Sequence, residues 1–141
     1  MIREREGPME ESTEKRVWQR VRGEPDRAEA VRRCLADQGR LAGAYRQLAR
    51  RGGKFRRLWE RKLEQIDSLR GMLRVMTGQG AAFPQTEPGP VDLRRCFETE
   101  QRTLGELQRL CRDEELGPVF EVLRERQKGQ VRLLLEILGT M

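Results

Sequence analysis

Polar side chains interrupt four apolar stripes that otherwise have the i, i+3, i+4, i+7 spacing of a buried helix face. The first and third stripes each contain one interruption, and the second and fourth each contain a pair spaced i, i+3. Burying an unpaired polar group costs several kcal/mol, so interruptions at matching heights require a common cause. One ammonium, one carboxylate and four amides have no net charge and can form a buried hydrogen-bonded network around an ion pair. The six residues are Gln38, Lys62, Gln65, Glu100, Gln127 and Gln130.

The residue types that the chain lacks exclude several kinds of catalytic and metal site. There is no histidine, which excludes a Ser-His-Asp triad, a Cys-His pair and histidine-ligated zinc. The three cysteines, Cys34, Cys96 and Cys111, are too few for a four-thiolate zinc site and lack CxxC spacing. Their odd number argues against a disulfide framework, so we expect a reduced, cytoplasmic setting. Cys34 and Cys96 fall within the stripes and are expected to be buried small hydrophobic residues.

Proline and glycine divide the 141-residue chain into long periodic segments. Proline is common at the start of a helix and glycine just after its end, which predicts helices at about 25–51, 54–77, 91–114 and 118–138. Short connections predict two antiparallel hairpins, and the longer stretch 79–89 predicts a crossover between them. We expect residues 25–139 to form an all-α four-helix bundle. Residues 1–24 are expected to form a separate charged arm, in which 14–22 can form a short helix. No apolar segment at the N-terminus resembles a signal peptide, and no stretch predicts a membrane span.

The two predicted hairpins repeat each other. Cys34 and Gln38 have the same separation as Cys96 and Glu100. After the turn, a run of residues in the first hairpin aligns with a run in the second: Leu58, Glu60, Arg61, Lys62 and Gln65 with Leu123, Glu125, Arg126, Gln127 and Gln130. A repeat of helical hairpins predicts a pseudo-symmetric bundle.

The positions of these residues resemble the ferritin-like superfamily, and within it the rubrerythrin-type four-helix bundles. That family places Glu on the first and third helices and Glu-x-x-His on the second and fourth, where the side chains hold two iron or manganese ions. The segment Leu58-Trp-Glu-Arg-Lys62-Leu-Glu-Gln65 resembles the second-helix motif, and Leu123-Arg-Glu-Arg-Gln127-Lys-Gly-Gln130 resembles the fourth-helix motif. Tyr45, which follows Gln38 in the first stripe, also matches a common family position.

Five of the six ligand positions depart from the family pattern, and only Glu100 keeps its residue type. Glutamine replaces Glu at 38 and 127 and replaces both His, at 65 and 130, while Lys62 replaces a bridging Glu. Amides are weak ligands for iron and manganese, and a lysine brings a positive charge toward the cations. The resemblance therefore implies the fold without the di-metal site, and without the peroxidase, ferroxidase or oxygen-activating chemistry that the metals perform. We expect no catalytic residue and no cofactor.

In place of the metals, we expect Lys62 and Glu100 to form a buried ion pair, with the four glutamines around it. Two other interpretations stay open. The helices can be rotated so that the polar residues face water, or metal ligands can be recruited from neighbouring carboxylates. The candidates for recruitment lie beside or outside the stripes and are Glu60, Glu64 and Glu125.

A cluster of cations marks the predicted tip of the first hairpin. It suits an anion or nucleic-acid contact, given a net charge of +6. It also suits a solvated turn, since the other arginines alternate with acids and no aromatic residues are interleaved for base stacking. We favour the solvated turn. The cluster consists of Arg50, Arg51, Lys54, Arg56 and Arg57.

Three functions are compatible with these patterns. The first is a non-enzymatic relative of rubrerythrin, which acts as a structural or partner-binding module; the resemblance implies a homodimer. The second is an iron- or manganese-binding redox or oxidative-stress protein with a reduced site around Glu100. The third is a basic adaptor that binds anionic polymers through the tip at 50–57. None of the three requires a membrane.

Overall fold

All regular structure in the described part of the chain is helical, which confirms the predicted all-α class. The computed structural model describes residues 25–80 and 89–141. Four helices span Pro25–Ala49 (α1), Arg56–Thr77 (α2), Leu93–Leu110 (α3) and Gly117–Gly139 (α4), and a short 3-10 turn, Gly53–Phe55, precedes α2. The predicted N-terminal arm and most of the predicted crossover, 1–24 and 81–88, lie outside the described residues.

Local hydrogen bonding sets the helix ends, which differ from the predicted ones by a few residues. The first helix ends at Ala49, before the predicted end at 51. The second ends where Gly78 adopts a left-handed conformation with φ 75°, which glycine reaches without a Cβ clash. The third begins at Leu93 and not near Pro90, because the Asp92 side chain accepts hydrogen bonds from the backbone N–H groups of residues 94 and 95.

The third helix also ends at Leu110, before the predicted end at 114. The Asp113 carboxylate accepts hydrogen bonds from the backbone N–H of Glu115 at 3.0 Å and of Leu116 at 2.8 Å. These bonds satisfy backbone N–H groups just before α4. They also stabilise a turn at residues where the apolar periodicity predicted that α3 would continue. Pro118 then occupies the first turn of α4, where a missing N–H has no consequence.

The four helices pack against one another in two closely associated pairs. The contact of α1 with α2 and that of α3 with α4 are the most extensive, and α1 also packs on α3 and α2 on α4. Among the described residues, no helix is both long enough and apolar enough to cross a membrane.

Two apolar clusters form the core, one on each side of the polar positions. The first includes Val31, Ile66 and Phe120, and the second includes Leu58 and Leu134; all five are at most 2% exposed. Along each helix, the polar positions fall between the residues of one cluster and those of the other. Apolar packing above and below therefore closes the polar positions off from water.

Ion pairs along the outer edge of the α1–α3 contact fix the alignment of these two helices. Asp37, which is 8% exposed, accepts from Arg102 Nε at 3.1 Å and Nη2 at 3.0 Å. A second pair, at 2.7 Å, joins Arg27 of α1 to Asp113 in the turn that follows α3. The bidentate Arg102–Asp37 pair lies one residue from the Gln38–Thr103 hydrogen bond on both helices, so the two contacts favour the same alignment.

We expect Asp92→Ala to lower the free energy of unfolding by about 1 kcal/mol, because two backbone donors at the start of α3 lose their acceptor. Urea denaturation followed by circular dichroism measures this change. Asp92→Asn is the matched control, since its side-chain oxygen can accept the same hydrogen bonds. An Asn variant as unstable as the Ala variant would contradict the capping role.

Candidate functional site

The six polar positions all lie in the interior of the bundle. Lys62 and Glu100 are 0% exposed, and the most accessible of the six, Gln65, is 7% exposed. The interpretation in which the helices turn these residues toward water is therefore wrong. Hydrogen bonding divides them into two groups, which lie at different places in the bundle.

The first group, here the Lys62 network, is centred on the ion pair that the sequence predicts. Lys62 Nζ of α2 lies 2.6 Å from Glu100 Oε1 of α3. The same ammonium donates to Gln38 Oε1 of α1. Gln38 Nε2 donates to Thr103 Oγ1 at 3.0 Å, which leaves the amide oxygen turned toward the ammonium. Attraction between the two charges is strong in this low-dielectric interior and offsets part of the free energy lost by removing them from water.

Side chains of three helices donate hydrogen bonds to the Glu100 carboxylate, and both of its oxygens accept. Oε1 accepts from Gln127 Nε2 of α4 at 2.8 Å as well as from Lys62, and Oε2 accepts from the Tyr45 hydroxyl of α1 at 2.7 Å. Gln127 Nε2 also lies 2.8 Å from the Glu100 backbone oxygen. All four helices therefore contribute to one network, whose members are Gln38, Tyr45, Lys62, Glu100, Thr103 and Gln127.

Two members of the Lys62 network, Tyr45 and Thr103, lie outside the six positions that the sequence predicts for the site. Thr103 is one helical turn after Glu100 and so lies on the same face of α3, which is the signal that could have identified it. Tyr45 belongs to the apolar stripe of α1. Its place in the network follows because a buried phenol needs a hydrogen-bond partner. Spacing along the sequence does not identify the hydrogen-bond partner of either hydroxyl group.

Gln65 and Gln130 form the second group, here the glutamine pair, and the structure does not bring them into the predicted shell around the ion pair. Gln130 Nε2 donates to the backbone carbonyl of Leu58 at 3.0 Å. The Oε1 atoms of Gln65 and Gln130 are buried and have no hydrogen-bond partner in the described chain. Both residues line a cleft of about 400 Å³ between α2 and α4.

Burial shifts the pKa values of the ionisable groups in the network. Removal from water lowers the pKa of Lys62, while the neighbouring Glu100 carboxylate opposes that shift. Burial, together with the charge of Glu100, raises the pKa of Tyr45 well above its ordinary value. The phenol therefore stays protonated and remains a hydrogen-bond donor to Glu100.

The side chains at the six polar positions do not fit a di-metal centre. Glu100 is the single carboxylate among them, and both of its oxygens already accept hydrogen bonds. An ammonium beside that carboxylate repels a metal cation, and amides are poor substitutes for carboxylate or imidazole ligands. The carboxylates considered for recruitment, Glu60, Glu64 and Glu125, are exposed. Within residues 25–80 and 89–141, no group of three or more His, Cys, Asp or Glu residues could hold a metal ion.

The cations predicted as an anion contact lie at the connection between α1 and α2 and are exposed, as the solvated-turn interpretation expects. One of them, Arg56, pairs with Glu60 at 3.5 Å, and Lys54 Nζ lies 5.9 Å from the centre of the Phe55 ring. Exposed pairs of this kind contribute at most about 1 kcal/mol. Arg50, Arg51 and Arg57 project from the same end of the bundle without entering the site. Anion binding there stays a prediction from the sequence.

We expect Lys62→Met to destabilise the protein by about 3–5 kcal/mol, because Glu100 then stays buried without its counter-charge. Urea denaturation measures this loss. The double variant Lys62→Met/Glu100→Leu removes both charges and should recover much of it. Lys128→Met is the matched control, since Lys128 forms an exposed pair with Glu125 at 3.2 Å, and it should cost no more than about 1 kcal/mol. A small effect of Lys62→Met would contradict the buried ion pair.

We expect stability to fall at alkaline pH as the buried thiols titrate. Burial, with a contribution from Asp37, raises the pKa of Cys34 from 9.0 to about 12, and burial beside Glu100 raises that of Cys96 to about 11. The unfolded chain releases these protons near pH 9.0 while the folded chain keeps them. The protonated thiols therefore stabilise the folded chain fully below about pH 9, and this stabilisation is lost between about pH 9 and 12. The free energy of unfolding falls by up to about 1.4 kcal/mol per pH unit for each thiol.

Urea midpoints of the wild-type chain and of Cys34→Ala, measured from about pH 8 to about pH 11, test this expectation. The unfolded chain also releases the protons of Tyr45 and Lys62 at alkaline pH, and the difference between the two chains isolates Cys34. The variant should show a smaller decline. Equal declines in both chains would show that the Cys34 thiol does not titrate on unfolding.

Comparisons with protein-family models, with curated proteins and with solved structures found no match to this chain. The functional assignment therefore depends on the geometry of the Lys62 network and of the glutamine pair.

Proposed function

We propose that this chain is a ferritin-like, rubrerythrin-type antiparallel four-helix bundle that has lost its di-metal site and serves as a non-enzymatic structural or partner-binding module. The proposal includes a cytoplasmic location, in keeping with three free cysteines of which two are buried. Partners are a second copy of the chain or another protein, as the family resemblance implies.

The composition of the core supports the antiparallel arrangement. One apolar cluster contains Val31 and Cys34, from the first half of α1, together with Leu73 and Met76, from the end of α2. The same cluster combines the end of α3 with Phe120 at the start of α4. Neighbouring helices of a hairpin meet in this way when they run in opposite directions.

The arrangement of repeated residues supports the two-hairpin origin of the bundle. Gln65 and Gln130 are equivalent in the predicted repeat, and both reach the same cleft between α2 and α4. Lys62 and Gln127 are also equivalent, and both bond to Glu100. A pseudo-two-fold relation between hairpins brings equivalent positions together in this manner.

The ammonium of Lys62 is the observation that carries the proposed loss of metal. In a di-metal site, bound cations compensate a cluster of buried carboxylates. Here one ammonium, 2.6 Å from one carboxylate, gives a neutral centre with the acceptors Gln38 and Glu100 already occupied. The charges at this centre balance from the side chains alone, so a metal ion at Glu100 would have to displace a bonded cation.

The same geometry disfavours the alternative of a reduced iron or manganese site around Glu100. Its two oxygens accept from Lys62, Gln127 and Tyr45. A metal at Glu100 would break these bonds and leave the buried ammonium unpaired, which is costly.

We expect the purified chain to contain fewer than about 0.1 equivalents of iron or manganese, and its Tm to be unchanged after anaerobic loading with Fe(II) or Mn(II). Elemental analysis and thermal unfolding measure the two quantities. Near-stoichiometric metal with a raised Tm would contradict the proposal and favour the redox alternative.

A variant that restores the family ligands is the matched positive control. It combines Gln38→Glu, Lys62→Glu, Gln65→His, Gln127→Glu and Gln130→His. We expect this variant to bind about two equivalents of Fe(II) or Mn(II) and to be stabilised by them. Failure to bind metal, in a variant that folds, would contradict the ferritin-like placement of the six positions.

A further inference from the structure

The connection between α1 and α2 carries a dense run of positive charge. Five of the eight residues from 50 to 57 are Arg or Lys, and none is acidic. All five cations are exposed, and Phe55 between them is buried. Exposure alone fits a solvated turn, so other observations must decide whether the cluster binds an anion. The cluster, here the basic tip, consists of Arg50, Arg51, Lys54, Arg56 and Arg57.

The charge of the basic tip is hardly compensated within the described chain. Arg50, Arg51 and Arg57 have no carboxylate partner among the described residues. Arg56 is the member that has one, and it meets the exposed Glu60 at 3.5 Å. In contrast, arginines along the α1–α3 contact pair with carboxylates at 2.7–3.0 Å. The basic tip therefore keeps its charge for an external anion.

The stability of the helices accounts for only part of this charge. Arg50 and Arg51 follow α1, and the C-terminal end of a helix attracts cations. Lys54, Arg56 and Arg57 lie at the start of α2, where the partial positive charge of the helix end repels them. The first turn of α2 contains no acidic residue that would offset this repulsion. An anionic partner would remove the cost of placing these cations together.

Packing and backbone hydrogen bonds hold the basic tip in place. Phe55 is 5% exposed and belongs to the same apolar cluster as Leu48 and Leu58. The backbone N–H groups of Arg51 and Gly52 donate to the Leu48 carbonyl at 3.0 and 3.2 Å. Because the Phe55 ring points into the core, its two neighbours in the sequence stay outside. The backbone that carries the cations is thus ordered before an anion binds, which lowers the entropic cost of binding.

Two glycines leave the backbone open at the centre of the basic tip. Gly52 is extended, with φ −168°, a conformation that any residue adopts. A Cβ added at Gly52 or at Gly53 would meet no atom within 4 Å, so packing does not require glycine at either position. The missing side chains leave space in which a large anion can approach the backbone closely.

The two hairpin connections have opposite charges and lie at different ends of the bundle. Residues that flank the α1–α2 connection belong to one apolar cluster, and residues that flank the α3–α4 connection belong to the other. The α3–α4 connection contains one cation, Arg112, and three acids, Asp113, Glu114 and Glu115. The bundle is therefore electrically polar along its length, and this polarity turns the basic tip toward an approaching polyanion.

We propose that the basic tip binds the phosphate backbone of a nucleic-acid duplex without reading its base sequence. Four of the five cations are arginines, and a guanidinium fork matches phosphate oxygens better than an ammonium does. The one aromatic residue among 50–57, Phe55, is buried, so unpaired bases find no platform on which to stack. This inference adds a class of partner to the module proposed above and does not depend on the loss of the metal site.

Fluorescence anisotropy of a labelled duplex of about 20 base pairs, titrated with the full chain, tests the proposal. We expect a Kd of about 1–10 μM at about 50 mM salt, independent of base sequence. The logarithm of the Kd should rise linearly with the logarithm of the salt concentration, with a slope of about 3–4, because roughly four phosphates are neutralised.

Two double variants with the same net charge separate the basic tip from the charge of the whole chain. Arg51→Gln/Arg57→Gln removes two cations from the tip. Arg70→Gln/Arg74→Gln is the matched control, since both arginines are exposed on α2 beyond the tip. The tip variant should raise the Kd at least tenfold and lower the salt slope by about 2. The control should change the Kd by less than about threefold. Thermal unfolding of both variants confirms that they fold.

Three results would overturn the proposal. One is the absence of duplex binding at protein concentrations up to about 100 μM. Another is an equal loss of affinity in the two double variants, which would assign binding to net charge alone. The third is tighter binding to a single strand of the same length, or to vesicles of anionic lipid, than to the duplex. None of these results alters the metal content or its test, so the proposed function stands or falls separately.

Discussion

The ion pair between Lys62 and Glu100 is the interaction on which the arrangement of the four helices depends. Two full charges are buried together, and each is tolerable only while the other is within bonding distance. Apolar contacts tolerate small shifts of one helix along another, but a hydrogen bond is lost over less than 1 Å or so of displacement. Because Gln38, Tyr45 and Gln127 must all reach the same centre, the network fixes the alignment of α1, α2, α3 and α4 at once.

The two open sides of the bundle carry different chemistry. Where α1 meets α3, charged side chains pair with each other, as Asp37 does with Arg102 and Arg27 with Asp113. Where α2 meets α4, two arginines and two glutamines face a cleft, and two amide oxygens have no partner in the described chain. The first side therefore stabilises the alignment of the helices.

The sequence predicted the larger features of the fold because these depend on periodicity. The apolar stripes and the glycine and proline positions specify the four helices, and the interruption of every stripe indicates the buried polar positions. Opposite charges on Lys62 and Glu100 were enough to predict their pairing, since a buried charge needs a partner.

The remaining details depend on geometry that spacing does not encode. The end of α3 at Leu110 results from hydrogen bonds of Asp113, which compete with an apolar pattern that continues to Cys111. Thr103 completes the network because it faces Gln38 of another helix. Gln65 has the same residue type as Gln38 and Gln127 but lies with Gln130 at the cleft between α2 and α4.

The pairing of the buried Lys62 ammonium with Glu100 is the central feature of the core. Nitrogen-15 NMR of the lysine side chains tests it most directly, with Mn(II) added in equimolar amount as a paramagnetic probe. We expect one Nζ resonance that is protected from exchange with water, is lost in Lys62→Met and keeps its intensity when Mn(II) is added. A Lys62 resonance that exchanges rapidly with water, or one that Mn(II) broadens away, would contradict the account.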